Sequence, residues 1–102
     1  MANTQKKSST RVKEGTRLRK PRNYKVIMHN DDVTTMDFVV DVLMSVFFKP
    51  KQEASDLMMK IHLEGQAVVG VYPYDIAQSK TLKATELAQN NGFPLKITCS
   101  PE

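Results

Sequence analysis

After residue 22 the spacing of the apolar residues switches between two periods, and the order of these switches constrains the fold more than any other feature. Tyr24, Val26 and Met28 recur at every second position, which predicts a strand with one buried face. Farther along, apolar residues recur three and four positions apart, as in an amphipathic helix: Met36, Val39, Val40, Leu43, Val46 and Phe47. The ordered part of the chain therefore begins with a strand followed by a helix.

Caps and breakers predict where the helices and strands end. Thr34 and Asp37 have the spacing of a helix start with Thr34 as its cap, and Pro50 stops this helix after about thirteen residues. The later predicted elements are a helix over residues 52–64 ending at Gly65, a strand over 67–72 ending at Pro73, a helix ending at Asn91-Gly92, and a strand containing Leu95, Ile97 and Cys99. The order β-α-α-β-α-β favours an α+β fold, a single small domain whose three-stranded, largely antiparallel sheet is covered by three helices on one face.

Composition narrows the class of protein. A chain of 102 residues with 40% hydrophobic residues can form one small core. It has no apolar stretch of about 18 residues and no apolar segment typical of a secretory signal, so we expect no membrane span. Cys99 is the only cysteine and cannot form an internal disulfide, which fits a reducing compartment. We therefore expect a cytoplasmic protein.

Charge divides the chain into two parts. Eight of the 15 Lys and Arg residues lie in residues 1–22 with Glu14 as the only acidic residue, so this segment carries +7. The other 7 basic and 10 acidic side chains give residues 23–102 a charge of −3. Residues 1–22 contain too few apolar side chains to offset the entropy of ordering them. We predict a disordered basic extension over 1–22, for which an organellar transit peptide is a weaker interpretation, and a folded core over 23–102.

The run Asn30-Asp31-Asp32, between the first strand and the first helix, is the main candidate for a site. Its oxygens accept hydrogen bonds, and nearby apolar residues could bury a side chain, so the run suits a small cation attached to an apolar group, such as the α-amino end of a polypeptide. His62 follows Met58 by four residues, which predicts a half-accessible position at the edge of the buried stripe. Turns and helix entries also favour Asn and Asp, and histidine or methionine at a core boundary is ordinary, so composition alone leaves the interpretation open.

Other functions find less support in the sequence. Catalysis could use His62 as a base with Asp31 or Asp32, but no nucleophile motif accompanies them. A metal site would draw on His29, Asp31, Asp32 and His62, yet no recognised ligand spacing links these residues. The basic extension could bind nucleic acid or anionic lipid, although interleaved aromatic residues are absent from it. A basic-tailed nucleic-acid or membrane-surface protein remains the alternative function.

The sequence resembles the ClpS adaptor family over essentially everything after Arg22. The resemblance is carried by Tyr24-Lys25-Val26, Asn30-Asp31-Asp32-x-Thr34-x-Met36-x-Phe38-Val39, Leu57-Met58, His62-x-x-Gly65, Gly70-Val71-Tyr72, Ala77, Lys80 and Pro94-Leu95. It implies a non-catalytic adaptor that binds a bulky hydrophobic N-terminal residue (Leu, Phe, Tyr or Trp) of an N-degron substrate. The adaptor would deliver that substrate to a AAA+ Clp unfoldase, ClpA-type or ClpC-type, for degradation by ClpP. We expect a monomer without cofactor or metal.

The resemblance also implies roles for individual residues. Those that would bind the substrate α-amino group are Asn30, Asp32 and His62, with Asp31 adding negative potential or a water-mediated contact. The hydrophobic pocket would be lined by Thr34, Met36, Val39, Met58, Ile61 and Leu95, and Met36 would reject β-branched residues. The surface that docks the unfoldase N-terminal domain would include Asp75, Gln78 and Lys80. Asp75 and Gln78 depart from the Glu usual at these positions, and Thr35 stands where many relatives have Pro.

Overall fold

Six elements in the order β-α-α-β-α-β make up residues 22–102, the part of the chain that the computed structural model describes. They are β1 (Asn23–His29), α1 (Met36–Ser45), α2 (Lys51–Glu64), β2 (Gln66–Pro73), α3 (Tyr74–Asn90) and β3 (Lys96–Pro101). The predicted order and α+β class are confirmed. The predicted disorder of the basic extension concerns residues outside those described, except for Arg22.

The sheet has the strand order β2-β1-β3, and both pairings are antiparallel, as predicted. The central strand β1 pairs Val26 with Gly70 of β2 on one side and with Cys99 of β3 on the other. Because β1 is bonded on both sides, its last residue, His29, is firmly positioned. The acidic run that begins at Asn30 therefore starts from a fixed point.

The core lies between the helices and one face of the sheet. Val26 and Met28 of β1 are fully buried, as are Val42 and Leu43 of α1. Fully burying side chains of this size contributes ~1.5–3 kcal/mol each, which is ample to hold the helices on this face. Helix α2 packs mainly on α1 and β2, whereas α3 also contacts β1 and β3. None of the helices within residues 22–102 combines the length and the apolarity that a membrane crossing requires.

The start of α1 differs from the prediction. The helix is capped by Thr35, whose side-chain oxygen accepts a hydrogen bond from the Phe38 backbone N–H at 3.2 Å, and not by Thr34. Thr34 instead belongs to the preceding turn, where its backbone N–H and its hydroxyl each donate to Asp31 at 2.7 Å. The helix has ten residues and ends before Pro50, which is the N-cap of α2. A competing local hydrogen bond thus shifted the cap by one residue.

Candidate functional site

A cavity of about 270 Å³ opens where the end of β1, the start of α1 and the end of α2 meet. Its lining contains every residue that the sequence assigned to the α-amino site and, except for Leu95, every residue assigned to the pocket: Asn30, Asp31, Asp32, Thr34, Met36, Val39, Met58, Ile61 and His62. These residues come from three separate segments. Their convergence is a property of the tertiary structure and is hereafter called the cavity.

Asp31 organises the turn at one side of the cavity. Its Oδ1 accepts hydrogen bonds from the backbone N–H groups of Val33 at 2.8 Å and Thr34 at 2.7 Å, and its Oδ2 accepts from the Thr34 hydroxyl. Partial burial alone would raise the pKa of Asp31, but the donors on Thr34 and Val33 outweigh it and lower that pKa below the ordinary value. Asp31 therefore supplies a stable negative charge while most of its acceptor capacity is used inside the turn.

A backbone hydrogen bond ties this turn to the end of α2. The N–H of Asn30 donates to the carbonyl of Gly65 at 2.9 Å, and the N–H of Gly65 donates to Ile61 at 2.9 Å. Gly65 has φ 90°, the left-handed conformation that ends a helix and favours glycine, as the sequence predicted. Because His62 lies in the last turn of α2, this link brings it to the same rim as Asn30.

The rim of the cavity carries acceptor groups that residues 22–102 leave free. Asn30, Asp32 and His62 are exposed, and within residues 22–102 their side chains have no hydrogen-bonding partner. His62 is thus more accessible than the half-buried position predicted from its spacing, because its neighbour Ile61 is the residue that α2 turns into the core. An amide oxygen, a carboxylate and an imidazole nitrogen can all accept hydrogen bonds from a ligand here.

The floor of the cavity is apolar. Val39 and Ile61 are buried and belong to the core, whereas Met58 is partly buried against it. Met36, at the first residue of α1, keeps 44% of its surface exposed and also lines the cavity. A ligand held at the rim could therefore place an apolar group onto core side chains, with Met36 beside its point of entry.

Two sequence-selected residues lie elsewhere. Leu95 is 5% exposed and is part of the core, but the cavity lining does not include it. It immediately precedes β3, which α3 covers, whereas α2 forms the cavity wall on the side of β2. His29 sits on the sheet, with its Nε2 2.9 Å from Thr98 Oγ1, and its pKa is lowered first by burial and then by Lys96. No three His, Cys, Asp or Glu side chains of residues 22–102 form a group that could hold a metal ion.

The predicted docking residues form a second region on α3. Asp75 and Lys80 line a shallow groove, hereafter the α3 groove, whose walls are formed by Val46, Phe48, Asp75, Ile76, Ser79, Lys80 and Lys83. Gln78 is exposed on the same helix but does not line this groove. The sequence analysis missed Phe48, because it falls off the helical stripe that ends at Phe47 and no local pattern indicates that it is exposed.

Lys80 is held tightly within the α3 groove. Its Nζ donates to the Val46 carbonyl at 2.7 Å and lies 4.5 Å from the ring centroid of Phe48, 5.4 Å from that of Tyr72 and 5.9 Å from that of Phe47. These are cation–π distances. Burial and the neighbouring charge of Lys83 lower the pKa of Lys80.

With this geometry established, comparison with known proteins is decisive. The family model described as the ATP-dependent Clp protease adaptor protein ClpS matches residues 19–98. The chain belongs to the ClpS family.

Curated ClpS relatives match over most of their length. The ClpS of Wolinella succinogenes is 48% identical over 87 residues, covering 85% of each chain. That of Acetivibrio thermocellus is 47% identical and covers 91% of this chain and 96% of the relative, and that of Treponema denticola is 55% identical and covers 74% and 75%. Each is described as an adapter protein of the ATP-dependent Clp protease.

A solved ClpS structure has the same fold. Agrobacterium tumefaciens ClpS2, bound to L-phenylalaninamide, superposes with a TM-score of 0.79 at 43% identity and covers 81% of this chain and 100% of that chain. ClpS proteins are adaptors of the Clp protease and not the protease itself. The shared architecture includes the strand-turn-helix segment that positions the acidic run.

Proposed function

We propose that the chain captures the free N-terminal residue of a substrate protein when its side chain is bulky and apolar, namely Leu, Phe, Tyr or Trp. The observation that carries this proposal is the cavity, which combines an apolar floor with three acceptor groups at its rim that have no partner in the described part of the chain. The solved relative adds support, because L-phenylalaninamide has a free α-amino group, a benzyl side chain and an amide in place of the next peptide bond.

The rim is suited to a protonated α-amino group. An ammonium has three N–H donors, and Asn30, Asp32 and His62 offer one acceptor group each. Hydrogen bonds to charged groups contribute ~1.5–3 kcal/mol each, and acetylation of the amine removes both the charge and two of the donors. Asp31, held in its charged form by the turn, adds negative potential beside them. The rim therefore selects chain ends over internal residues.

Neither the rim nor the floor of the cavity would by itself give selective binding of a bulky N-terminal residue. Burying a Leu or Phe side chain contributes ~1.5–3 kcal/mol, which is less than the ~4.1 kcal/mol needed even for a millimolar Kd. The charged hydrogen bonds alone would also hold Gly or Ala ends, so the floor must supply the preference for bulky residues. Met36 lines the cavity and is half-exposed, and in this proposal its side chain crowds the β-carbon of the bound residue and excludes Ile and Val.

Delivery would use the rest of the molecule. Asp75, Gln78 and Lys80 would dock the N-terminal domain of a ClpA-type or ClpC-type AAA+ unfoldase, which passes the substrate to ClpP. We assign residues 23–102 to the adaptor core and the basic extension to substrate hand-off. The adaptor would act in the cytoplasm as a monomer, without catalysis, cofactor or metal. Removing residues 1–20 should then leave peptide affinity unchanged and stop delivery, as measured by degradation of a reporter beginning with Leu.

A fluorescence titration tests the capture step. A labelled peptide beginning with Leu should bind saturably, and its N-acetylated counterpart should not bind at the same concentrations. The alternative, a basic-tailed nucleic-acid or membrane-surface protein, requires steep salt dependence and loss of binding when the extension is removed. Equal binding of the free and acetylated peptides would refute capture of a chain end.

A further inference from the structure

Phe48 has an unusual conformation for an aromatic residue. It is 75% exposed, and its φ of 54° makes it the only non-glycine residue within 22–102 in the left-handed region. Exposure of a large apolar ring and a left-handed backbone are both unfavourable for folding. A position that combines both features is typical of a binding surface, where an interaction with a partner and not the stability of the fold accounts for the conformation.

The surrounding contacts hold this ring outward. The N–H of Lys49 donates to the carbonyl of Leu43 at 3.0 Å, which closes the backbone around Phe48. Lys80, anchored on the Val46 carbonyl, places its ammonium 4.5 Å from the centroid of the Phe48 ring. The ring is therefore fixed against a charged side chain instead of lying on the core.

Lys80 also contacts an aromatic side chain of the sheet. The Tyr72 ring lies within cation–π distance of Lys80 and folds back along β2 over Gly70, where any Cβ would clash with it. Glycine at this position thus leaves room for the ring that supports the lysine. The Phe48 side chain is consequently preorganised, so that ordering it costs little when a partner binds.

The α3 groove joins Phe48 to the proposed docking residues. Phe48 and Ile76, which is 47% exposed, supply apolar walls, while Asp75 and Lys80 belong to the proposed unfoldase surface. The lining carries two lysines, Lys80 and Lys83, against one carboxylate, so it complements an acidic surface. Pairing this groove with that of a second copy about a twofold axis would bring together two surfaces that each carry an excess of positive charge, which disfavours self-association here. The groove shares no residue with the cavity, so substrate binding leaves it free.

We propose that Phe48 is the anchor of the docking surface and inserts into an apolar pocket on the unfoldase N-terminal domain, with acidic residues on that domain facing Lys80 and Lys83. This inference rests on the proposed delivery function and adds the residue and the partner chemistry on which docking depends. A rigid aromatic residue beside a fixed cation is the type of side chain that dominates binding energy at protein interfaces.

The test measures two affinities for each full-length variant, one for an isolated ClpA-type N-terminal domain and one for a free Leu peptide. Phe48→Ala should weaken docking by at least about tenfold and leave peptide affinity unchanged. Leu63→Ala is the matched control, because Leu63 is also 75% exposed and lies outside both the groove and the cavity. It should change neither affinity.

A second substitution separates docking from stability. Asn tolerates the left-handed conformation better than Phe, which offsets the lost contact between the Phe48 ring and Lys80, so Phe48→Asn should leave the thermal unfolding midpoint nearly unchanged while it weakens docking. Phe48→Trp should retain docking within about threefold, because it keeps a rigid aromatic ring. Docking would then fall without a matching loss of stability, which a purely structural role for Phe48 would not produce.

Three outcomes would overturn the inference. If the native chain docks and Phe48→Ala and Phe48→Asn dock as tightly, Phe48 is not the anchor although delivery stands. If Phe48→Ala changes only self-association, seen by size-exclusion chromatography, the groove binds a second copy instead. If the native chain binds neither a ClpA-type nor a ClpC-type domain while it still binds the Leu peptide, the delivery step itself fails and the inference falls with it.

Discussion

The cavity and the α3 groove treat their polar groups in opposite ways. In the cavity, Asn30, Asp32 and His62 have no hydrogen-bonding partner within residues 22–102, whereas Asp31 and Thr34 bond to each other. In the groove, the ammonium of Lys80 is satisfied by a carbonyl and three aromatic rings, and what it presents to solvent is Phe48. The acceptor groups of the cavity therefore need a ligand that donates hydrogen bonds, whereas the side chains of the groove are already held in place by contacts within the protein.

This difference predicts that a substitution in one region leaves the binding function of the other unchanged. The largest effect is expected at the rim of the cavity. Asp32→Ala should weaken binding of a free Leu peptide about 10- to 100-fold, because it removes a charge-assisted hydrogen bond worth ~1.5–3 kcal/mol. Docking of the unfoldase domain should be unchanged. Asp56→Ala, an exposed carboxylate of α2 outside the cavity, is the control. Titrations of both variants with the Leu peptide measure this effect. A loss of affinity of twofold or less for Asp32→Ala would contradict a direct role of Asp32 in binding.

A change at the cavity mouth should alter selectivity instead of overall affinity. Met36→Ala should improve binding of peptides that begin with Ile or Val about tenfold relative to Leu, since space for a methyl or methylene group is worth 10- to 200-fold in discrimination, at the low end for a half-exposed site. Competition titrations with Leu, Ile and Val peptides measure this ratio. Met59→Ala, on the exposed side of α2, should leave the ratio unchanged.

Acid should weaken peptide binding at the cavity more than it weakens docking at the α3 groove. His62 must accept a hydrogen bond from the substrate ammonium, which a cationic imidazolium cannot do, so peptide affinity should fall several-fold between pH 8 and pH 5. Docking through Phe48 should change less over the same range. Peptide affinity measured from pH 8 to pH 5 tests this, with His62→Asn, which keeps an acceptor but cannot titrate, as the comparison. An identical pH profile in both proteins would argue against the imidazole.

Loss of the internal lysine contact should cost stability without affecting peptide capture. Lys80→Met removes a hydrogen bond and a cation–π contact from a partly buried site, so we expect about 1–2 kcal/mol of destabilisation. Lys83→Met, on an exposed lysine of the same groove, should cost much less. Urea unfolding of both variants measures the difference. Equal stabilities would show that the Lys80 contacts contribute nothing in solution.

The smallest expected effect concerns the acidic turn. Because the folded protein lowers the pKa of Asp31, its contacts stabilise the fold above the ordinary value of 3.8, and this contribution is lost as the pH falls through the lower, folded value. Thr34→Val removes one donor and should cost ~0.5–1.5 kcal/mol at pH 7. The cost should shrink near pH 3. Urea unfolding at both pH values checks the sign, and a penalty that grows in acid would contradict it.

The sequence predicted the fold because each helix and strand depends on a local pattern, whereas the roles of the site residues were assigned by resemblance and stay a prediction. Periodicity identified each strand and helix, and Gly65 marked the end of α2. The helix cap is Thr35 and not Thr34, because Thr34 is held by Asp31 in the preceding turn, which the spacing rule does not take into account. Leu95 was assigned to the pocket by resemblance, but the helix that covers β3 places it in the core.

The order of elements and the composition of the acidic run are properties that the chain alone determined, because each depends on residues a few positions apart. The tertiary structure decided which of these residues meet. The hydrogen bond from Asn30 to Gly65 joins segments 35 positions apart and brings His62 to the rim. The contact from Lys80 to Val46, across 34 positions, sets the outward pose of Phe48. Packing of distant segments, and not local propensity, therefore made one region open to a ligand and the other a rigid surface.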